Sequence, residues 1–363
     1  MALSRGSRWF LVVSLAFVAA GAGAVWWLDG NWFQSDVEPG IPVTYEVIQG
    51  QTVRSVSEDL ADLDVVTSSV RFLLAAQEAG LETSLQPGVY DLETRMRNED
   101  VIAILTQGPP PPETAWFTVQ EGLNVELTLE RLAAQFPYEV EDFRAVLDER
   151  TAAGANGEGV LRLPDFVPEP AQVSERYEPY EGVLFPETYE VLADASPLRI
   201  LQRMVDQLGL VMGSIPADAR EAMVERELDE FDMMIIASLI ERETRVDAER
   251  TIVSGVIVNR LGNGMRLELD ATVLYALGEH RDTVLLEDLE VDSPFNTYRN
   301  DGLPPTPISG FGASSLRAAF SPDEVTYRFY VLDVACDGTH VFADTLDEHN
   351  ANVAAFRAAG RCQ

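Results

Sequence analysis

The stretch MMIIASLIERETRVDAER, residues 233–250, is apolar over its first half and then becomes charged. Apolar residues on almost every side predict a helix that is buried around most of its circumference. Glu241 and Glu243 lie at its carboxyl end, where the helix dipole is negative. Burial and this dipole both disfavour an ionised carboxyl, and a carboxyl that keeps its proton can act as a general acid. Ordinary ion pairing with Arg242 and Arg245 is the alternative.

The residues one helical turn before Glu241 are both small. Ala237 and Ser238 share its face of the predicted helix, because residues three and four apart are neighbours on a helix surface. This predicts space for a ligand against the Glu241 carboxyl. Glu243 lies on a different face, beside Leu239, and is predicted either to orient an arginine or to share the proton chemistry.

The composition excludes several classes of function. The chain has 363 residues, with 60 acidic residues against 26 basic ones and a net charge of -34. Such a charge repels phosphate backbones, so nucleic acid is excluded as a partner. The histidines have no metal-ligand spacing, and neither do the two cysteines, so we expect no metal and no cofactor. Whether Cys336 and Cys362 form a disulfide stays open.

The amino terminus predicts a membrane anchor. Arg5 and Arg8 precede an uncharged run over residues 9–28, which is long enough to span a bilayer. Arginine before the run and acidic residues after it place the amino terminus in the cytoplasm, so residues 1–28 form a cytoplasmic tip and a transmembrane helix. A cleaved signal peptide is the alternative, because residues 22–24 resemble a cleavage site. With either segment, the rest of the chain is expected to lie outside the cytoplasm.

The remaining chain predicts an α+β protein with two folded parts. Residues 29–42 form a linker, and residues 43–108 follow the order strand, helix, helix, strand, which resembles a LysM-like βααβ module. A support module that binds nothing is the alternative. After the proline-rich spacer GPPPPE, residues 113–363 form a larger helix-rich domain with edge strands, and its core spans residues 177–357.

Local patterns divide this larger domain further. Residues 138–176 are predicted to be rich in loops, and residues 180–191 to form a strand that is broken by Pro186. The carboxyl-terminal stretch from Tyr327 reads as strand, turn, strand and helix. Four predicted helices lie between these parts, over residues 198–208, 218–228, 232–244 and 246–261.

Motifs in several parts of the chain together resemble those of one family, the endolytic murein transglycosylases, also called YceG-like. The stretches that carry the resemblance are ASLIERET (237–244), ER (249–250), NRLGNGMRL (259–267), DATVLY (270–275), SPFNTYRNDGLPPTPIS (293–309), EGVLFPETY (181–189) and GTHVFADTLDEHN (338–350). Phe295 and Thr306 stand where the family usually has tyrosine and glycine. The resemblance covers roughly residues 43–357.

This resemblance implies a lytic transglycosylase that cuts the β-1,4 bond between N-acetylmuramic acid and N-acetylglucosamine in nascent peptidoglycan strands. Glu241 matches the catalytic glutamate of the family, and the products carry 1,6-anhydro-muramic ends. Cutting near the membrane ends strand elongation, so peptidoglycan synthases are implied as partners. The implied location is the bacterial inner membrane, crossed once, with the catalytic domain on the periplasmic side. A catalytically inactive peptidoglycan-binding scaffold is the alternative.

Polar residues inside the motifs are further candidates for the substrate groove, because amides, hydroxyls and flat rings suit sugars and acetamido groups. Each of them is also explained by a structural role alone. The candidate substrate-binding residues are Glu243, Asn259, Asp270, Thr272, Tyr275, Asn296, Thr297 and Tyr298.

Overall fold

The computed structural model describes residues 37–153, 159–170, 173, 177–278 and 283–360. It is a mixed, helix-rich α+β structure whose described strands form three two-stranded antiparallel sheets, as the sequence predicts. The chain divides into two compact units between Pro112 and Glu113. The predicted transmembrane helix lies outside the described residues. Among the residues that are described, no helix is both long and apolar enough to cross a bilayer.

The amino-terminal unit contains the predicted order of strand, helix, helix and strand, followed by one more helix. Its elements are β1 (Pro42–Val47), α1 (Val53–Asp62), α2 (Ser69–Glu78), β2 (Gly88–Glu93) and α3 (Asn98–Gln107). Thr52 and Ser68 begin the first two helices, since each side chain accepts a hydrogen bond from a backbone N–H of the first turn. β1 pairs antiparallel with β2, and the helices pack around a core centred on Leu60, Phe72 and Tyr90.

The carboxyl-terminal unit holds the remaining elements around a second core. The helices are α4 (Val125–Ala133), α5 (Val140–Ala153), α6 (Pro197–Gly213), α7 (Ala217–Val224), α8 (Glu230–Glu243), α9 (Arg250–Gly262), α10 (Asp270–Leu277), α11 (Ala313–Phe320) and α12 (Leu346–Ala358). The strands are β3 (Thr114–Thr118), β4 (Thr188–Leu192), β5 (Phe329–Leu332) and β6 (His340–Ala343). β3 pairs with β4, and β5 pairs with β6.

Helix α8 runs through the centre of this unit, as the opening stretch predicts. It begins at a capping box in which Asp229 and Asp232 each accept a backbone N–H of the other. Every side chain from Met233 to Ile240 is buried, and full burial of one large apolar side chain contributes roughly 1.5–3 kcal/mol. Helices α9, α10 and α11 all pack against α8, so its carboxyl end lies among three other elements.

Two local predictions need correction. Residues 138–176 are not loops throughout, because α5 occupies residues 140–153. Its fully buried apolar side chains, Phe143 and Leu147, lie one turn apart among polar residues, so the apolar periodicity is too sparse to indicate a helix. The predicted strand at residues 180–191 begins only at Thr188, after Pro186, which has no backbone N–H to donate.

The predicted strand, turn, strand and helix at the carboxyl end are confirmed as β5, β6 and α12. Arg260, on α9, connects this hairpin to the rest of the unit through hydrogen bonds. Its Nε donates to the Arg328 carbonyl at 2.6 Å, and its Nη1 donates to the carbonyls of Arg266 and Leu267 at 2.8 Å. Cys336, in the turn of the hairpin, is in a disulfide bond, while Cys362 lies outside the described residues.

Candidate active site

Glu241 lies in the last turn of α8, and its side chain is only 8% exposed. Three donors converge on its Oε2 atom. The backbone N–H of Gly312 is 3.1 Å away, the Ser315 hydroxyl 2.7 Å and the Arg250 Nη1 atom 3.3 Å. No described residue donates a hydrogen bond to Oε1. The carboxyl is therefore held by one oxygen, while the other remains available to a substrate.

The donors to Glu241 come from the amino termini of two helices. Arg250 is the first residue of α9, and Gly312 is the cap residue of α11, with Ser315 in its first turn. Helix amino termini carry partial positive charge, which adds to the charge of Arg250. Arg250 also donates to the Ser315 hydroxyl and to Asp247, so the group that fixes Oε2 is itself fixed.

The space predicted beside Glu241 is filled by protein. Ala237 and Ser238 are both fully buried, and the Ser238 hydroxyl accepts the backbone N–H of Ile308 at 3.1 Å. The small side chains therefore allow the loop before α11 to pack closely on α8, and that loop delivers Gly312 to the Glu241 carboxyl. The expectation of an open ligand space on this face is wrong.

A large cleft of about 1040 Å³ begins at Glu241 and runs between α8, α9, α10 and the β5–β6 hairpin. Its lining is rich in charged and aromatic side chains. Three of the predicted substrate-binding residues, Glu243, Asp270 and Tyr298, line it. The Tyr298 hydroxyl donates to Asp270 Oδ1 at 2.7 Å, so two of the three form a hydrogen-bonded pair.

Glu243 is a carboxyl of this cleft whose charge changes with pH near neutrality. Burial raises the pKa of Glu243 to about 7, although a hydrogen bond from Tyr330 acts in the opposite direction and lowers it. The nearby charge of Asp270 raises the pKa of Glu243 further. The Tyr330 hydroxyl donates to its Oε2 at 3.0 Å. Near neutral pH this carboxyl is therefore present both in a protonated form, which can donate a hydrogen bond, and in an ionised form, which only accepts.

Four other predicted residues hold the fold together and do not line this cleft. Asn259 donates to the carbonyls of Val325 and Tyr327. Thr272 and Thr297 are buried and share a hydroxyl–hydroxyl contact of 2.9 Å that joins α10 to the following loop. Asn296 is buried and donates to two carbonyls of the preceding loop. These amides and hydroxyls satisfy buried backbone groups.

Tyr275, the last predicted residue, lines a second cavity of about 330 Å³. Its ring packs against Phe295, with centroids 4.8 Å apart, and its hydroxyl donates to Glu181 at 3.1 Å. Glu181 is 3% exposed and also accepts the backbone N–H of Val125. Burial raises the pKa of Glu181 to about 8, so this carboxyl is protonated near neutral pH.

The described residues contain no group of three or more potential ligands that would hold a metal ion. His340 instead pairs with the buried Glu249, with 2.7 Å between Nδ1 and Oε2, and His349 stacks on Phe329. His280 lies outside the described residues.

The sequence alone missed the residues that surround the Glu241 carboxyl. No local pattern distinguishes Ser315 or Gly312, and Arg250 stands out only as part of a motif. The hydrogen bonds from Gly312 and Ser315 span 71 and 74 residues, so no local spacing reveals them. The resemblance to a family includes the adjacent pair Glu249 and Arg250, which was the one available signal.

Comparisons with known proteins identify the family of the chain. A model of the YceG-like family matches residues 45–355. Over 309 residues the chain is 33% identical to the endolytic murein transglycosylase of Bacillus subtilis, covering 85% of this chain and 83% of that protein. It is 26% identical to the endolytic murein transglycosylase of Streptococcus pneumoniae D39, covering 94% of this chain and 64% of that longer protein.

The fold also matches a solved structure. The crystal structure of a YceG-like protein from Listeria monocytogenes aligns with a TM-score of 0.57 at 30% sequence identity, covering 86% of this chain and 99% of that one. The family model thus spans both compact units, and the sequence and structural relatives agree with it. The chain belongs to the YceG-like family.

Proposed function

We propose that this protein is an endolytic peptidoglycan lytic transglycosylase and that Glu241 is its general acid and base. The observation that carries the proposal is the Glu241 carboxyl itself. It is almost buried, fixed through Oε2 by three donors, and located at one end of a large polar cleft. Relatives that match most of the chain are named endolytic murein transglycosylases.

The proposed reaction uses one carboxyl twice. Protonated Glu241 gives its proton to the oxygen between N-acetylmuramic acid and N-acetylglucosamine, and the C1–O bond breaks with its electron pair going to that oxygen. The ionised carboxylate then takes the proton from the muramic C6 hydroxyl, whose oxygen forms a bond to C1. The product end is a 1,6-anhydro ring, no water is consumed, and Glu241 returns to its protonated form.

The cleft supplies groups that suit a glycan strand. We propose that Glu243, Asp270 and Tyr298 contact the substrate through its hydroxyl and acetamido groups. Asn259, Thr272, Asn296 and Thr297 act through the backbone that they hold in place. Tyr275 belongs to the second, aromatic cavity, which we propose as a further contact region.

The remaining parts of the proposal concern the chain outside the catalytic unit. The order of elements in residues 43–108 supports a LysM-like module that binds glycan. The apolar run in residues 9–28 supports an anchor in the inner membrane, which places the catalytic unit on the periplasmic side near nascent strands. Peptidoglycan synthases are the expected protein partners, because cutting there ends strand elongation.

The test is cleavage of purified glycan strands by the full chain. Glu241→Gln keeps the shape of the side chain and removes the transferable proton, so we expect product formation to fall by at least about 10³-fold. Glu225→Gln, a surface change of the same charge, is the matched control and should cut normally. Both variants should retain the wild-type melting temperature and glycan binding. If wild type binds strands but cuts none, the inactive scaffold is the correct description.

A further inference from the structure

Two cavities of the carboxyl-terminal unit meet at Arg242. The large cleft that begins at Glu241 and the second cavity that contains Tyr275 share three lining residues, which are Arg242, Ala271 and Leu274. Arg242 directly follows Glu241 in the last turn of α8, so the junction lies close to the proposed acid. The site is therefore branched, and Arg242 lies where the two branches meet.

The guanidinium of Arg242 is held by the protein at one atom. Its Nη1 donates to the Gly122 carbonyl at 3.2 Å. Gly122 is itself fixed, because its N–H donates to the Gly310 carbonyl at 2.8 Å. No described residue accepts a hydrogen bond from the other N–H groups of Arg242 or forms an ion pair with it. Most of its hydrogen-bonding capacity therefore remains available to a ligand.

The carboxyls of the large cleft already have donors within the protein. These carboxyls belong to Glu241, Glu243, Glu268 and Asp270. Each accepts a hydrogen bond from an arginine or a tyrosine, which in the same order are Arg250, Tyr330, Arg260 and Tyr298. Arg242 acts on Glu243 only through its charge. It is therefore left as a cation that an anionic ligand can reach.

The carboxyls of the second cavity are paired or keep their protons. Arg144 pairs with both Glu126 and Glu178, at 2.9 and 2.7 Å. Burial raises the pKa of Glu181 to about 8, so this carboxyl is protonated near neutral pH. Arg242 is then the one charged group of the described lining without an opposite charge in contact. A chain with a net charge of -34 thus has a lining here whose ionised groups balance.

The walls of the second cavity suit small apolar groups. The Phe295 ring packs against two tyrosines, with ring centroids 5.2 Å from Tyr177 and 4.8 Å from Tyr275. The cavity has a volume of about 330 Å³, against about 1040 Å³ for the large cleft. Aromatic walls with one available arginine at the junction match a ligand that combines small apolar side chains with a carboxylate.

The substrate of the proposed reaction is branched in the same way. Each muramic acid of a peptidoglycan strand can carry, on its lactyl group, a short peptide stem that contains alanine and free carboxylates. We propose that the glycan lies in the large cleft while the peptide stem enters the second cavity, where Arg242 binds a stem carboxylate. The planar guanidinium matches a carboxylate in shape and charge. This inference rests on the proposed function and adds the stem as the feature of the substrate that is recognised.

The test measures the binding of synthetic glycan strands of equal length, whose stems carry either free carboxyls or primary amides at the same positions. The full chain with Glu241→Gln is the parent protein, so that no strand is cut during the titration. Amidation of the stems should weaken binding to this parent about 5-fold, since an exposed ion pair is lost. With Arg242→Gln added, both strands should bind as the amidated strand binds to the parent.

Two outcomes of this titration would overturn the inference. One is equal affinity of the parent for the two strands. The other is an effect of amidation that persists in full after Arg242→Gln, because the carboxylate would then be bound by another group.

Two other arginines serve as matched controls. Arg226→Gln, in the exposed turn after α7, removes the same charge elsewhere and should keep the full effect of amidation. Arg245 lines the large cleft but not the second cavity, so Arg245→Gln should keep most of it. If the effect is lost with Arg226→Gln, net charge causes it. If it is lost with Arg245→Gln and kept with Arg242→Gln, the stem carboxylate lies in the large cleft. Either result would contradict the assignment.

A second variant tests the cavity itself. Ala276, on α10, lines the second cavity and not the large cleft, so Ala276→Leu narrows the second cavity alone. Strands with stems should then bind more weakly, while strands without stems bind as before. An equal effect on both kinds of strand, or none on either, would place the stem elsewhere. If the stem is recognised as expected but wild type forms no anhydro ends, the inference stands and the proposed function fails.

Discussion

Ser315 is the shortest contact of the Glu241 carboxyl, at 2.7 Å. Its own hydroxyl is bound by Arg250, so it links the acid to its nearest cation. Ser315 thus lies between the Glu241 carboxyl and Arg250. Its loss should disturb the orientation of the carboxyl while leaving the charge of Arg250 in place.

Ser315→Ala is therefore expected to lower kcat about 10-fold, because one hydrogen bond to a charged group contributes roughly 1.5 kcal/mol. KM should change little. The control is Ser254→Ala on α9, because Ser254 is equally buried and its hydroxyl has no partner among the described residues. Equal kcat values for both variants and wild type would show that Ser315 does not orient the acid.

Glu181 predicts a pH dependence of stability. Burial raises the pKa of Glu181 to about 8 in the folded protein, from 4.5 in the unfolded chain. Its protonated form is favoured by folding, so its contribution to stability is complete below about pH 4.5 and is lost as the pH rises through about 8. The free energy of unfolding should therefore fall over this range by an amount on the order of 5 kcal/mol.

Glu181→Gln should remove this part of the pH dependence, because glutamine stays neutral and still accepts from Val125 and Tyr275. Urea unfolding at pH 5.5, 7 and 8.5 measures it, with Glu130→Gln as an exposed control. If wild type and Glu181→Gln lose stability in parallel, the Glu181 carboxyl is not the group that titrates.

At the level of single elements, α9 approaches the segment before β5 closely at Gly255. A Cβ atom there would lie 2.6 Å from the Asp323 carbonyl oxygen and 2.8 Å from a Val325 methyl group. The carbonyl belongs to the backbone and cannot rotate away as a side chain does. Helix α9 carries both Arg250 and Arg260, so this contact helps to position the site.

Gly255→Ala is therefore expected to destabilise the fold by about 1–3 kcal/mol through overpacking. Gly262→Ala, at the end of the same helix, meets no atom within 4 Å, so it should be neutral or stabilise the fold by up to about 1 kcal/mol. Chemical denaturation of both variants provides the comparison. A Gly255→Ala protein as stable as Gly262→Ala would contradict the close approach.

Elements differed in how well the sequence predicted them. The run Met233–Ile240 predicts a buried helix because its periodicity and burial are local properties, and that helix is confirmed as α8. The role of Ser238 was not predictable, because its partner Ile308 comes from a loop 70 residues away. Asn296 and Thr297 are polar residues inside a motif, yet their hydrogen bonds are made to the backbone. Residue type alone does not distinguish substrate binding from this structural role.

On the scale of the whole molecule, the net charge of -34 acts on stability. Self-repulsion favours the expanded chain, and salt screens it over about 10 Å at 0.1 M ionic strength. The midpoint of urea unfolding should therefore rise as NaCl increases from about 0.05 to 0.5 M. Sucrose at equal osmolality is the control, because it does not screen charge. A midpoint that falls with salt would mean that ion pairs dominate over repulsion.

In the proposed reaction, Glu241 closes an anhydro ring and no water enters the product. Digestion of glycan strands by the full chain in water labelled with oxygen-18, followed by mass spectrometry of the new muramic ends, measures this directly. We expect ends that are one water lighter than reducing ends, carry no label and are absent with Glu241→Gln. Reducing ends that carry one oxygen-18 atom would show hydrolysis and contradict it.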